Sequence, residues 1–131
     1  MDDVKNKKHI LLVDDDRFLI DIYGMKFTAA GYQVQTCLSA RDALEILHKG
    51  FPADAIVFDL VMPEEDGFAF MTKITAEHLV PNAVLIVLSN QSDPAEEAKA
   101  KELGAACYIV KASKIPAEVV AIVAEQIAKK K

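Results

Sequence analysis

Five short apolar runs, separated by segments with helical spacing, are the feature that most constrains how this chain can fold. The runs lie at residues 9–13, 32–37, 54–59, 83–89 and 107–111. Three of them are almost continuous in Val, Ile and Leu, which is typical of strands covered on both faces. The second run alternates apolar and polar residues, so we predict an edge strand with one wetter face. A chain of 131 residues that is 52% hydrophobic can bury such strands in one core.

The segments between these runs carry apolar residues at the spacing of amphipathic helices. One segment also has the residue types of a helix start, because Asp93 is a suitable N-cap, Pro94 suits the first helical position, and Glu96 completes the spacing of a capping box. The periodicity predicts helices over residues 17–30, 40–48, 67–78 and 94–103, and a last helix that begins near residue 116. We expect Met25, Met62, Met71 and the phenylalanines to fill the core.

Strand and helix alternate five times, and this order favours an α/β fold with a doubly wound parallel sheet and right-handed crossovers. In such sheets, ligands bind outside the carboxyl ends of the strands, at the topological switch point. We expect residues 1–131 to form a single domain, with flexible ends at residues 1–7 and 129–131.

The residues that end the predicted strands are polar and chemically coherent. Because clustered carboxylates stay ionised only beside a cation, and oxygen ligands without His or Cys suit a hard ion, these residues favour Mg²⁺. A carboxylate can itself attack phosphorus, and a lysine and a hydroxyl can meet the phosphoryl oxygens. The strand ends therefore predict a Mg²⁺-dependent phosphoryl site. Its candidate residues are Asp14, Asp15 and Asp16 after the first strand, Asp59 after the third, Ser89 after the fourth and Lys111 after the fifth.

Composition and motifs exclude several other classes of protein. The net charge of −5 argues against nucleic acid as the ligand. The sequence contains neither a GxGxxG motif nor a P-loop, which disfavours a dinucleotide or ATP site. An FMN site would be supported by the fold alone. Two cysteines, Cys37 and Cys107, make no disulfide framework, and no signal peptide or membrane span is visible. We therefore expect a cytoplasmic protein that does not bind membranes.

Four stretches of the sequence resemble the receiver domain of two-component response regulators. They are "ILLVDDDRF" (10–18), "DLVMPEEDGF" (59–68), "VLSN" (87–90) and "GAACYIVK" (104–111), and the likeness extends from about Lys8 to Ala128. The resemblance implies a flavodoxin-like, five-stranded sheet in the order 2-1-3-4-5. It also implies a signalling module rather than an enzyme, except that it catalyses its own phosphoryl acceptance and autodephosphorylation.

The resemblance implies a role for each carboxylate. Asp59 would accept a phosphoryl group from a phosphohistidine on a sensor histidine kinase or a phosphotransfer protein. Asp15, Asp59 and the backbone carbonyl of Val61 would bind Mg²⁺ directly, with Mn²⁺ as a substitute, and Asp14 would act through water. Asp16 falls outside this set, and we expect it to cap the first helix.

The resemblance also implies how the domain would respond. Lys111 would pair with the phosphoryl oxygens, and Ser89 would move to hydrogen-bond one of them. Tyr108 would then turn and change the surface of the fourth and fifth helices and the fifth strand, which would control a downstream protein or output domain. Val61 and Gln91 would tune the phosphoryl lifetime. The domain would be a monomer or a phosphorylation-linked dimer.

One departure from the family lies in "KASKIPAE", where Ala112 follows Lys111 although the family usually has proline there. We expect no cis peptide at this bond and a rearranged loop into the last helix.

Two alternatives stay open at this point. Asp14 and Asp16 satisfy the D-x-D of aspartyl-nucleophile phosphatases, although Phe18 stands where Thr or Val is usual and Asp59 would be unexplained. The second alternative is a receiver-like interaction module that does not accept a phosphoryl group. Taken alone, the three adjacent carboxylates also fit a solvated loop, or a cluster that caps the N-terminus of a helix.

Overall fold

The computed structural model describes residues 7–130 of the chain. Its strands form one parallel sheet in the order β2-β1-β3-β4-β5. This confirms the predicted doubly wound sheet and the edge position of the second strand. The elements are β1 His9–Val13, α1 Arg17–Ala29, β2 Gln33–Cys37, α2 Ala40–His48, β3 Ala55–Phe58, α3 Gly67–Ala76, β4 Val84–Ser89, α4 Pro94–Glu102, β5 Ala105–Val110, a 3₁₀ helix Lys111–Ser113 and α5 Pro116–Lys130.

The fifth strand is the element whose boundaries differ most from the sequence prediction. It begins at Ala105 rather than at residue 107, because Ala105 pairs with Leu85 before the register shifts at the next pair. The strand ends at Val110, and Lys111 begins the 3₁₀ helix that leads towards α5. No peptide bond within residues 7–130 is cis. The turn after β5 therefore carries Lys111 without the proline that the family usually has.

Side-chain caps explain where the helices begin. Asp16 Oδ1 accepts a hydrogen bond from the Leu19 N–H at 3.1 Å, which confirms the predicted cap of α1. Asp93 caps α4 in the same way, accepting from the N–H groups of Ala95 and Glu96. Glu96 does not complete a capping box, because its carboxylate instead accepts a hydrogen bond from the Tyr108 hydroxyl on β5.

The core forms two layers, one on each face of the sheet. Ile10 and Leu12 of β1 face α1 and α5, whereas Leu11 and Val13 face α2 and α3. This alternation explains why the central strands are apolar at every position. The expectation that these three methionines and the phenylalanines fill the core is wrong for Phe18, which is 76% exposed, and for Met25, which is 70% exposed.

The predicted flexible ends, residues 1–7 and 129–131, lie only in part within the residues that the structure describes. Residues 1–6 and residue 131 lie outside the described part of the chain. Lys129 and Lys130 continue α5 as helix, so the flexibility of residues 129–131 stays a prediction. Within residues 7–130, no helix has both the length and the apolar character needed to cross a membrane.

Candidate functional site

Two buried carboxylates meet where β1 and β3 end. The strands are neighbours with Val13 opposite Phe58, so the residues that follow them, Asp14 and Asp59, lie side by side. Asp14 is 6% exposed and Asp59 is 2% exposed, whereas Asp15 is exposed to solvent. Carboxylate oxygens of these three residues lie within 4.8 Å of one another. The structure therefore brings three of the predicted carboxylates together, whereas Asp16 caps α1 and is not part of the cluster.

Lys111 is the cation that compensates these carboxylates. Its Nζ donates hydrogen bonds to Asp14 Oδ2 at 2.7 Å and to Asp59 Oδ2 at 3.3 Å, and its side chain is 10% exposed. Burial alone would lower the pKa of the Lys111 ammonium, but the hydrogen bond that it donates to Asp14 and the charges of both carboxylates raise this pKa overall. Lys111 therefore stays charged within the site.

Asp14 differs from Asp15 in how far its oxygens are already occupied. Burial raises the pKa of Asp14, although its hydrogen bonds with Lys111 and with the Asp16 N–H oppose the increase. Asp14 Oδ1 accepts from that N–H at 2.9 Å and Oδ2 accepts from Lys111. The Asp15 carboxylate is exposed to solvent, and within residues 7–130 no hydrogen bond to it is seen. The donor set of hard carboxylate oxygens, with no His or Cys in the cluster, fits a divalent ion such as Mg²⁺.

The loop between β3 and α3 surrounds Asp59 closely. The Val61 N–H donates to Asp59 Oδ1 at 3.3 Å, while the Val61 side chain is 67% exposed. Gly67 begins α3 directly against this backbone, because a Cβ at residue 67 would lie 2.5 Å from the carbonyl oxygen of Asp59. A larger residue at position 67 would therefore displace Asp59 or the start of α3.

The structure brings Ser89 and Tyr108 together at the backbone carbonyl of Gln91. Ser89 Oγ donates to this oxygen at 3.1 Å, and the Tyr108 hydroxyl donates to it at 2.8 Å. The same hydroxyl lies 3.2 Å from Glu96 Oε1 on α4. Burial raises the pKa of Tyr108, and the contact with Glu96 adds to the increase while Ser89 opposes it. Sequence reasoning missed Glu96 as a partner of Tyr108, since no local pattern links residues on α4 and β5.

Sequence reasoning also missed a set of exposed apolar side chains at this edge of the sheet. They follow the carboxyl ends of three strands: Phe18 in the first turn of α1, Val61 after β3, and Ile115 in the segment after β5. Each of the three side chains is more than half exposed, although all are large and apolar.

This fold and site place the chain among flavodoxin-like α/β domains of the receiver type. Residues 10–124 match the sequence model of the response regulator receiver domain, and the chain belongs to that family. It is similar to the probable transcriptional regulator ycf27 of Galdieria sulphuraria, at 33% identity over 111 residues that cover 85% of this chain and 42% of that protein. Several curated relatives are about equally similar, and the chain spans about two fifths of their length.

Solved structures agree with this assignment. A CheY-like response regulator receiver domain protein from Methanospirillum hungatei JF-1 has the same fold, with a TM-score of 0.86 at 23% identity over 95% of this chain and 97% of that chain. The chemotaxis protein CheY4 of Vibrio cholerae gives a TM-score of 0.83 at 25% identity over 92% of this chain and 98% of that chain. The chain is thus a response regulator receiver domain of two-component signalling. Receiver domains interact with histidine kinases and output domains.

Proposed function

We propose that Asp59 is the phosphoacceptor of this domain and takes its phosphoryl group from a phosphohistidine on a sensor histidine kinase or a phosphotransfer protein. The observation that carries the proposal is the arrangement of a buried carboxylate beside a buried lysine and two further carboxylates at the carboxyl edge of the sheet. Carboxylates held this close to one another are costly unless cations compensate them, which a divalent ion and Lys111 would do.

Asp15, Asp59 and the backbone carbonyl of Val61 would hold Mg²⁺ directly, with Mn²⁺ as a substitute. Asp14 would contact the ion through water, since Lys111 and the Asp16 N–H already occupy its oxygens. When bound, the ion supplies positive charge to the phosphoryl oxygens during transfer.

The transfer itself needs one nucleophilic oxygen of Asp59. This oxygen forms a bond to phosphorus as the bond between phosphorus and the donor imidazole nitrogen breaks. The electron pair of that bond leaves on the nitrogen, which takes up a proton from solvent. Lys111 already lies 3.3 Å from Asp59 and would pair with the transferred oxygens.

Ser89 and Tyr108 would convert the new charge into a change of surface. Ser89 donates to the Gln91 carbonyl in this structure and would donate to a phosphoryl oxygen after transfer. The loop after β4 would move with Ser89, and the Tyr108 hydroxyl would exchange its partners on that loop and on α4. The shift would alter the α4-β5-α5 surface that a downstream protein or output domain contacts.

Val61 and Gln91 would set how long the phosphoryl group remains. Autodephosphorylation requires a water molecule aligned with phosphorus, and the apolar, exposed side chain of Val61 cannot orient one. We therefore propose a slow hydrolysis, with Gln91 as the second residue beside the path of the water.

We place the protein in the cytoplasm, where the free thiols of Cys37 and Cys107 stay reduced. A monomer or a phosphorylation-linked dimer fits this role, without direct contact to nucleic acid or membranes.

Acetyl phosphate and Mg²⁺, followed by intact-mass spectrometry, test the proposal. Wild type should gain the mass of one phosphoryl group, and Asp59→Asn should gain none. The phosphatase alternative predicts instead that Asp14→Asn abolishes the reaction. A wild-type protein that gains no mass and shows no Mg²⁺-dependent change would indicate an interaction module that takes no phosphate.

A further inference from the structure

The loop between β3 and α3 contains a strained residue close to the phosphoryl site. Glu64 has a φ of 70°, in the left-handed region that is unfavourable for residues other than glycine. The loop also turns tightly, with the Glu65 N–H donating to the Pro63 carbonyl at 2.7 Å. Such a conformation persists only when neighbouring contacts over-determine it.

Glu65 supplies a contact of this kind. Its side chain is 18% exposed, and Oε2 is buried without a well-aligned hydrogen bond to any group of residues 7–130. Lys73 Nζ on α3 lies 2.7 Å from this oxygen. Because a buried carboxylate oxygen needs a compensating charge, the Lys73 ammonium stabilises Glu65 in its inward position. The pair of Glu97 and Lys101 on α4 has a similarly exposed lysine, at 56% against 53% for Lys73, but its carboxylate is 42% exposed and the two charged groups are 3.3 Å apart.

The ion pair ties the interior of the loop to α3, in addition to the hydrogen bonds that hold the two ends of the loop. At the start of the loop, the Val61 N–H is bound to Asp59, and Leu60 accepts from the Gly67 N–H at 2.9 Å. Glu65 lies inside the segment that the hydrogen bond between Leu60 and Gly67 closes, and Lys73 ties it to α3 about two turns along the helix. Val61 lies between the two anchors, so the orientation of its carbonyl depends on both.

We propose that Glu65 and Lys73 are positioning residues for phosphoryl transfer. Their ion pair holds the β3–α3 loop in the conformation in which the Val61 carbonyl serves the metal site beside Asp59. Neither residue touches the metal or the phosphoryl group, and both act through the loop. This inference rests on the proposed function.

Mg²⁺ titration of the full chain, followed by calorimetry at a temperature where every variant is folded, tests the proposal. Glu65→Gln and Lys73→Met should each weaken Mg²⁺ binding by about tenfold, the lower end of the range for residues that orient metal ligands. The charge-swapped double variant, Glu65→Lys with Lys73→Glu, should regain most of the lost affinity. The matched control pair, Glu97→Gln and Lys101→Met, should bind Mg²⁺ as wild type does.

Thermal unfolding without divalent ions separates a positioning role from a structural one. If Glu65→Gln and Lys73→Met lower the melting temperature but leave Mg²⁺ affinity unchanged, the pair is structural only and the inference is overturned. A charge-swapped variant that remains as weak as the single variants also overturns it. If wild type itself binds no Mg²⁺, the proposed function fails together with this inference. If wild type and the variants bind Mg²⁺ with equal affinity, only this inference fails.

Discussion

Replacing Lys111 with methionine should expose how strongly the site depends on one cation. The Lys111 ammonium lies 2.7 Å from Asp14 and 3.3 Å from Asp59, and all three side chains are at least nine-tenths buried. At an effective dielectric constant of about 20, charges about 3 Å apart attract by about 5 kcal/mol, and dehydration of the ammonium offsets part of this. Removing one partner of a buried ion pair costs about 3–5 kcal/mol. We therefore expect Lys111→Met to lower the free energy of unfolding by about 3 kcal/mol near neutral pH.

Urea denaturation without divalent ions measures this loss, with Lys114→Met as the control. Lys114 is exposed in the same turn, so its replacement should change stability by less than about 0.5 kcal/mol. Burial already raises the pKa of Asp14, and a raised pKa favours its neutral form, so the deficit of Lys111→Met should narrow as the pH falls. Added Mg²⁺ should also stabilise the variant more than wild type. A loss below about 1 kcal/mol, or one equal to that of Lys114→Met, would refute the role of Lys111 as the compensating cation.

Three further predictions follow from single positions. Gly67→Ala should lower the free energy of unfolding by about 1–3 kcal/mol, because the new Cβ would lie 2.5 Å from the backbone oxygen of Asp59. Gly24→Ala is the control, since its Cβ has room and should not destabilise the protein. Thermal melts of both variants check this prediction. Burial raises the pKa of Cys37 to about 12, so the unfolded chain loses its thiol proton first and stability should fall as the pH rises above 9, by up to about 4 kcal/mol. In urea titrations across that range, the free energies of unfolding of wild type and Cys37→Ser should converge. A difference that stays constant with pH would contradict the raised pKa of the Cys37 thiol. Val61→Asn should shorten the phosphoryl lifetime in a dephosphorylation assay, and an unchanged or slower variant would contradict the role of Val61.

The sheet and most of the site could be predicted because both depend on strand ends. Residues such as Asp14, Asp59 and Lys111 follow apolar runs, and parallel strands necessarily bring their carboxyl ends to one edge. The order of strands came from family resemblance, since the apolar runs alone do not distinguish one doubly wound order from another.

Contacts between elements could not be predicted in the same way. The approach of Tyr108 to Glu96 and the ion pair of Glu65 with Lys73 depend on how helices settle against the sheet, which no local pattern specifies. The exposure of Met25 was predictable in principle. It lies two residues from both Tyr23 and Phe27, and a two-residue offset places a helical side chain on the opposite face.

The position of the phosphoryl group after transfer tests the central claim most directly. Wild-type protein treated with acetyl phosphate and Mg²⁺ can be reduced with borohydride, which converts an aspartyl phosphate to homoserine, and tandem mass spectrometry then locates the converted residue. We predict homoserine at Asp59 alone, and none when Mg²⁺ is removed by chelation. Homoserine at Asp14 or Asp15, or at no residue, would contradict the assignment of Asp59 as the phosphoacceptor.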